Sequence, residues 1–478
     1  MTLVKPPAEP VSWYAVPAQD VDLREGSLHV RHSWSRRTTR SCWSASAVRL
    51  APRHSELGVE PADGLQTFQA THRERVDRGS RPGSFWPEGY HGAPVSVMIT
   101  RSAEGGSVAT HAIRIDQSKT LLEEPTTGHN RWHPDIPAVL RCEPGDEVVL
   151  ETRDAFDGQM GPDATLQTVA APNLDVVHPL TGPVFVEGAE PGDLLEVEIL
   201  DVEPDRYGYT VQVPGFGFLR DLFPDPYKVS WDIADGWATS PDLPGVRIPG
   251  SPFMGTIGLP PGHGLLAETA RREQALLESG GFVLPPSAAS AVPDDPRIAA
   301  EALRTIPPRE QAGNVDIKQL GKGARLLIPV DTPGALFSAG DAHFAQGDCE
   351  TCGTAIEMRA TLRARFSVHK GEAARKGIRD LRFTREDYYL PPQFAAPRRF
   401  YATTGISVTK DGENRAEDAT LAARNALLNM IEHLTERGWS RQQGYTICSV
   451  AVDLKISALV DVPNVLVSAF LPEDIFVG

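Results

Sequence analysis

Two stretches of the chain share one hydrophobic–polar design. Residues 142–158, CEPGDEVVLETRDAFDG, open on a Pro-Gly-Asp turn and continue as an alternating run. Val148, Leu150 and Thr152 fall on one face; Val149, Glu151 and Arg153 fall on the other. Residues 189–205, AEPGDLLEVEILDVEPD, repeat the device, with Leu195, Val197 and Ile199 alternating with Glu196, Glu198 and Leu200. Alternation of period two after a turn predicts half-buried strands, and two such units predict paired hairpins in a sandwich or barrel. Residues 323–344, GARLLIPVDTPGALFSAGDAHF, read as strand, turn, strand, and 361–371, TLRARFSVHKG, as a further strand with alternating charge.

Helical periodicity is rarer. Residues 264–279 carry it and stop at Gly280–Gly281. The strongest helix is predicted over 415–437, with Leu421, Leu427, Leu428, Ile431 and Leu434 along one face and Gly438 as its stop. The closing stretch 445–470, YTICSVAVDLKISALVDVPNVLVSAF, has strand character, and the Pro/Ala-rich 281–308 is expected to wander over the surface. Strands, then a few helices, then strands indicate an α+β fold with a β-rich sandwich or barrel core, not a βαβ series.

Length and texture set the domain reading. The 478 residues exceed one ordinary domain, so the chain is two or three units or one large β-rich body. Residues 1–107 are rich in Arg, Ser and His without a clean apolar period, as in HVRHSWSRRTTRSCWSASAVRLAPRHSE. Such a segment buries too little apolar surface to offset its ordering entropy, so it is expected to be a poorly ordered or accessory extension. The body is expected to run over 108–478. A net charge of −16 argues against a nucleic-acid or acidic-membrane partner. No run has the length of a membrane-spanning helix, the N-terminus lacks the layout of a secretory signal, and five scattered cysteines do not make a disulfide framework. A soluble cytoplasmic protein is the expectation.

Candidate chemistry concentrates in residues 340–358, GDAHFAQGDCETCGTAIEM. In an extended backbone Asp341 and His343 share a face, and so do Asp348 and Glu350. An imidazole with carboxylates around it suits a divalent ion and leaves a carboxylate to take a proton from water. A solvated polar turn explains the same residues. Cys349 and Cys352 form a C-x-x-C, half a zinc site at best, and the neighbouring acids disfavour a thiolate. His129 and His133 in GHNRWHPDIP sit among prolines that rule against a helical pair. Asp154 and Asp157 close a predicted strand, where acids cap turns or point into a site at the rim. Asn314, Asp316 and Lys318 follow period-two spacing. There is no G-x-S-x-G elbow, no phosphate loop with G-K-[ST] and no H-E-x-x-H.

The same motif, together with GHNRWHPDIP, HPLTGPVFVEGAEPGDLLEVEILDV, WDIADGWATSPDLPGVRIPGSPFMGTIG and RTIPPREQAGNVDIKQLGKG, closely resembles the acetamidase/formamidase family, formamidase in particular. The resemblance covers residue 109 to the C-terminus. It implies hydrolysis of formamide, and of other short amides such as acetamide, to the carboxylate and ammonia. It also implies a β-rich α+β fold, a homo-oligomer with trimeric building blocks and an association with zinc. Its acidic motif falls on Asp341, His343, Gln346, Asp348 and Glu350. The family usually has glycine where this chain has Cys349, a substitution that crowds the loop wherever φ is positive. Taken with the residue patterns, the expected ligands of a divalent metal are Asp341, His343 and Asp154. Glu350 or Asp348 is the expected base, Asn314 and Gln346 orient the amide, and Phe253 limits the pocket. The rival readings are thiol catalysis by Cys352 with Glu350 as base, and a non-enzymatic β-barrel that binds a small amide or a metal.

Overall fold

The two Pro-Gly-Asp strands form as the alternation predicts, but they do not pair with each other. Glu147–Thr152 buries Val148, Leu150 and Thr152, and Leu194–Gln212 buries Leu195, Val197 and Ile199. Both flank the strand Glu357–His369, each antiparallel to it. Charge explains the arrangement. The outward rows of the two strands carry Glu147, Glu196 and Glu198, and like charges set opposite one another repel. The strand between them offers Arg365, which reaches Glu147 at 2.7 Å and Glu198 at 3.0 Å. On the far side of Leu194–Gln212, Arg325 of the strand Arg325–Pro329 reaches Glu196 at 2.8 Å.

The computed structural model describes residues 95–101, 107–386 and 399–477. The expectation for the N-terminal extension therefore lies mostly outside the described residues. Val95–Arg101 pairs antiparallel with Ser107–Ile113, so backbone pairing begins upstream of the expected boundary at residue 108. Among the described residues seventeen strands join in one hydrogen-bonded sheet, and there are also a two-stranded and a three-stranded sheet. The fold is α+β and sheet-rich, with few helices and no closed barrel among the described residues. Its core gathers Ile113, Leu150, Val197, Ile199, Leu326, Ile328, Phe337 and Phe366, the last two edge-on at 5.0 Å. No helix among the described residues is long and apolar enough to cross a membrane.

Toward the C-terminus, Phe400–Ile406, Leu466–Pro472 and Asp453–Ala458 form an antiparallel sheet that packs against the helix Ala419–Glu436. Asp418 caps that helix by accepting a hydrogen bond from the Leu421 N–H at 2.9 Å. Its buried face is Ala422, Ala426, Leu427, Met430, Ile431 and Leu434, whereas Leu421 and Leu428 are half-buried. The contact is close enough to need small residues: a Cβ at Gly405 would lie 2.2 Å from the Ala422 carbonyl oxygen.

Two expectations are corrected here. Arg441–Ala451 is a helix, not the start of a strand. Thr446, Ile447 and Val450 have strand propensity, but Ser440 and Gln443 form a capping box that starts the helix, and tertiary burial of 444–450 sustains it. The 281–308 segment is not wholly superficial. Ala291 and Val292 are buried, and the fully buried Arg131 guanidinium donates to the carbonyls of Ser287 and Ala289. That tether holds the segment that carries Leu284.

Candidate active site

His343 ends the strand Phe337–His343. Across one edge it faces Phe253, in the strand Phe253–Gly258; across the other it faces Glu357. Direct cross-strand neighbours bring side chains together, and here they place Glu357 Oε2 3.2 Å from His343 Nε2. Asp341 Oδ1 lies 3.3 Å from the same nitrogen and Glu350 Oε1 lies 4.0 Å from it. Phe253 is fully buried and packs edge-on against the His343 ring at 5.1 Å. Gly255 leaves the room in which these groups meet. A Cβ there would fall 2.7 Å from Asp316 Oδ1, 2.7 Å from His343 Cε1 and 2.9 Å from Asp341 Oδ2.

Gln346 fixes how the imidazole presents itself. Its Nε2 donates to the Asp316 carbonyl at 2.8 Å, which leaves Oε1 against His343 Nδ1 at 2.9 Å. Nδ1 therefore carries a hydrogen, and Nε2 is the atom turned toward the carboxylates. Burial alone would depress the His343 pKa, but the charges of Glu357 and Asp341 outweigh it and hold it well above the ordinary value. Burial opposes ionisation of Asp341 too, yet His178 and His343 hold its pKa below the usual carboxylate range. Burial pushes Glu357 up to about 7 and Glu350 up to about 8. Asp316 is raised well above normal by burial and by Glu350 beside it. Two buried carboxylate oxygens, Glu357 Oε2 and Asp316 Oδ1, accept no aligned hydrogen bond. Orphaned buried oxygens of this kind are costly without a proton or a cation.

Asp316, Asp341, Glu350 and Glu357 line part of a cavity of about 270 Å³, together with His178 and Asn314. His178 Nε2 lies 3.9 Å from Asp341 Oδ2, and the Thr256 hydroxyl donates to the same oxygen at 3.0 Å. Burial pulls the His178 pKa down, which favours the neutral ring. Thr354 aside, the side chains of the rest of the wall are apolar, Phe156, Leu174, Val177, Val213, Phe216, Leu284 and Ile306 among them.

The structure brings Asp341, His343 and Glu350 together as the motif suggested, and it sends other candidates elsewhere. Asp348 and Glu350 do not share a face, because Cys349 (φ 83°) and Glu350 (φ 45°) make a left-handed turn between them. Glu350 enters the cavity, while Asp348 turns outward to Lys318 at 3.4 Å and Lys455 at 3.7 Å. Asp154 stands apart from the His343 cluster. It accepts from the Tyr209 hydroxyl at 2.7 Å and from the N–H groups of Phe156 and Gly158, which is the turn-capping role of an acid at a strand end. Asn314 lines the cavity, and its amide donates to the Ile306 carbonyl. Gln346 holds His343 in place, and Phe253 lies behind that ring, outside the cavity lining. Cys352 is buried, donates toward the carbonyls of Val211 and Thr354, and is pushed up to about 11, chiefly by burial, so it stays a thiol. His129 is buried against Ser338 and the Arg131 carbonyl, and His133 sits with Asp135 and His263 in a separate group. Glu357, Asp316 and His178 are the site residues that sequence patterns did not select. Glu357 closes the same acidic motif, and Asp316 stood in the period-two run with Asn314.

Comparison with known proteins identifies the family. The family model described as Acetamidase/Formamidase matches residues 114–477. The chain is 38% identical over 361 residues to an acetamidase of Mycolicibacterium smegmatis, covering 70% of this chain and 87% of that protein. It is 37% identical over 384 residues to a formamidase of Methylophilus methylotrophus, covering 76% and 93%. Among solved structures, a γ-lactamase from Delftia acidovorans superposes with a TM-score of 0.72 at 38% identity, covering 76% of this chain and 92% of that one. With a family model spanning most of the chain, and relatives matched over nearly their whole length, the chain belongs to the acetamidase/formamidase family of amide hydrolases.

Proposed function

We propose that the chain hydrolyses short carboxamides, formamide and acetamide among them, to the carboxylate and ammonia. Water would be activated at the buried cluster of Asp341, His343, Glu350 and Glu357. The observation that carries this reading is the gathering of the Asp316, Asp341, Glu350 and Glu357 carboxylates at the one imidazole of His343. One imidazole with several carboxylates is a donor set that fits a divalent ion, zinc in this reading, and His343 with Asp341 and Glu357, the carboxylates within 3.3 Å of its Nε2, would hold it. A cation there supplies positive charge that polarises the amide carbonyl and acidifies water.

The chain's own groups do the rest. Glu350, on the cavity wall, takes the proton of the attacking water as the C–O bond forms. It then delivers that proton to the departing nitrogen as the C–N bond breaks. Asp316 lies within hydrogen-bonding reach of Glu350 and steadies it. Gln346 keeps Nδ1 of His343 protonated and the ring oriented, while Thr256 and His178 hold Asp341 from its other oxygen. A trimeric assembly belongs to the same reading and is checked by light scattering.

The test is ammonia release from formamide before chelation, after chelation and after zinc is restored, with metal content measured in parallel. Chelation should abolish release and zinc should restore it. Glu350→Gln should lose at least about 10²-fold in kcat with metal content unchanged, the range of a lost general base. Full turnover in Glu350→Gln would remove it as the base, and release indifferent to chelation would remove the cation.

A further inference from the structure

Resting on the reading of this cavity as an amide-hydrolysing site, we infer that its preferred substrates carry a bulky, uncharged apolar acyl group, not merely hydrogen or a methyl. The first argument is volume. The cavity measures about 270 Å³. A water takes roughly 30 Å³, so formamide, the size of about two waters, fills a small part of it, and an apolar cavity of about 150 Å³ is known to take a benzene ring. Space remains for an acyl group of about five to seven carbons beside the reacting amide.

The second argument is what lines that space. Phe156, Val177, Val213, Phe216 and Ile306 pack together in one apolar cluster, separate from the main core, and Leu284 adds to the wall. Every ionisable residue on the wall belongs to the reacting cluster: His178, Asp316, Asp341, Glu350 and Glu357. No lysine or arginine lines the cavity among the described residues, so nothing there would balance an acidic tail. The neutral polar side chains already bond within the wall. Asn314 donates to the Ile306 carbonyl, and the Thr354 hydroxyl both donates to the Val211 carbonyl and accepts from the Val211 N–H. A charged tail would be desolvated without a counter-charge, whereas an apolar one displaces water from apolar walls.

The experiment is a kcat/KM series on the purified protein with formamide, acetamide, butanamide, cyclohexanecarboxamide and the anionic amide succinamate, read as ammonia release. Each buried methylene is expected to raise kcat/KM about fourfold, so cyclohexanecarboxamide should exceed acetamide by at least about 50-fold, with succinamate hardly turned over. In Val213→Phe and in Ile306→Trp, which fill the apolar end, the cyclohexanecarboxamide-to-formamide ratio should fall at least about tenfold. A series that is flat or falls with acyl size while formamide is hydrolysed overturns this inference and leaves the amidase reading standing. Equal turnover of succinamate and butanamide overturns it as well. Absence of ammonia from every amide overturns both.

Discussion

Gly255→Ala adds a single methyl group where the site has no room for one. The nearest atoms to that Cβ would be Asp316 Oδ1 and His343 Cε1 at 2.7 Å and Asp341 Oδ2 at 2.9 Å. Ordinary contact begins near 3.4 Å, so the neighbours must yield by 3.4 − 2.7 = 0.7 Å and 3.4 − 2.9 = 0.5 Å. None of them is the free end of a flexible chain. His343 is wedged between Phe253 and Gln346, Asp341 is held by Thr256, and Asp316 is tied through its own N–H to the Gly255 carbonyl. A misplacement of about 1 Å at a reacting group costs about 10²-fold. For about two thirds of that displacement we expect a 10- to 100-fold loss in kcat/KM, about 1.4–2.7 kcal/mol in the barrier. Overpacking should also lower stability by about 1–3 kcal/mol. The assay is kcat/KM for formamide at 25 °C with Tm and zinc content measured on the same sample. Gly264→Ala is the control. Nothing lies within 4 Å of a Cβ there, and removing a helix glycine should add about 0.5–1 kcal/mol of stability with activity unchanged. Gly255→Ala with kcat/KM within twofold of the parent would refute the idea that Gly255 makes room for the cluster.

Other outcomes follow from the same geometry. Gln346→Leu removes the acceptor of His343 Nδ1 and should cost about 10- to 100-fold in zinc affinity or activity, with Gln346→Glu recovering part; competition titration with a chromogenic chelator checks it. Cys352→Ala should keep formamide turnover within about threefold, because the thiol lies outside the cavity lining and is protonated; a loss of 10²-fold or more would revive thiol catalysis. Asp157 has its pKa raised from 3.8 to about 6, chiefly by burial, so the stability it contributes is complete below about pH 3.8 and is lost as pH rises through about 6. Asp157→Asn still accepts from the Leu121 N–H and should gain on the parent by up to about 3 kcal/mol between pH 4 and pH 8 in urea unfolding; a pH-independent difference would contradict this. Cys349→Gly should raise stability by about 0.5–1 kcal/mol, since φ of 83° penalises a side chain by more than glycine's extra unfolded-state entropy.

The alternation of Val148, Leu150 and Thr152, and of Leu195, Val197 and Ile199, was legible because one buried face leaves a period-two trace in sequence. Their pairing was not. It depends on Arg365, some 170 residues or more away, satisfying the acids of both strands. The helix Arg441–Ala451 was misread because Thr446, Ile447 and Val450 favour strand, although its capping box was in plain sight. At the site, Asp341, His343 and Glu350 were legible as neighbours in one motif. The expected shared face of Asp348 and Glu350 does not form, because two-residue spacing means a shared face only in extended backbone, and the turn at Cys349 and Glu350 breaks it. Asp154 has a carboxylate's chemistry and a turn's duties, and no local pattern separates the two.

The backbone around the cluster shows why the site could not be an ordinary stretch of sheet. Ala312, Asp316, Asp341, Cys349 and Glu350 all have positive φ without being glycine, at 70°, 46°, 56°, 83° and 45°. Each such residue costs about 1 kcal/mol or more, so together they draw several kcal/mol from the rest of the fold. The distortions and the chemistry form one network. Asp316, in its left-handed conformation, donates its N–H to Gly255, accepts Gln346 on its carbonyl and brings its carboxylate to Glu350. The turn that sends Glu350 inward sends Asp348 out to Lys318 and Lys455, and Lys318 also holds Asp453. Behind the turn, Ser449 of the helix Arg441–Ala451 accepts from the Cys352 N–H and donates to the Thr354 carbonyl. The strained loop is thus clamped from the C-terminal part of the chain. Substitutions that loosen that helix, at Ser449 above all, should lower activity before they lower global stability, because the turn would relax toward φ values that no longer aim Glu350 at His343.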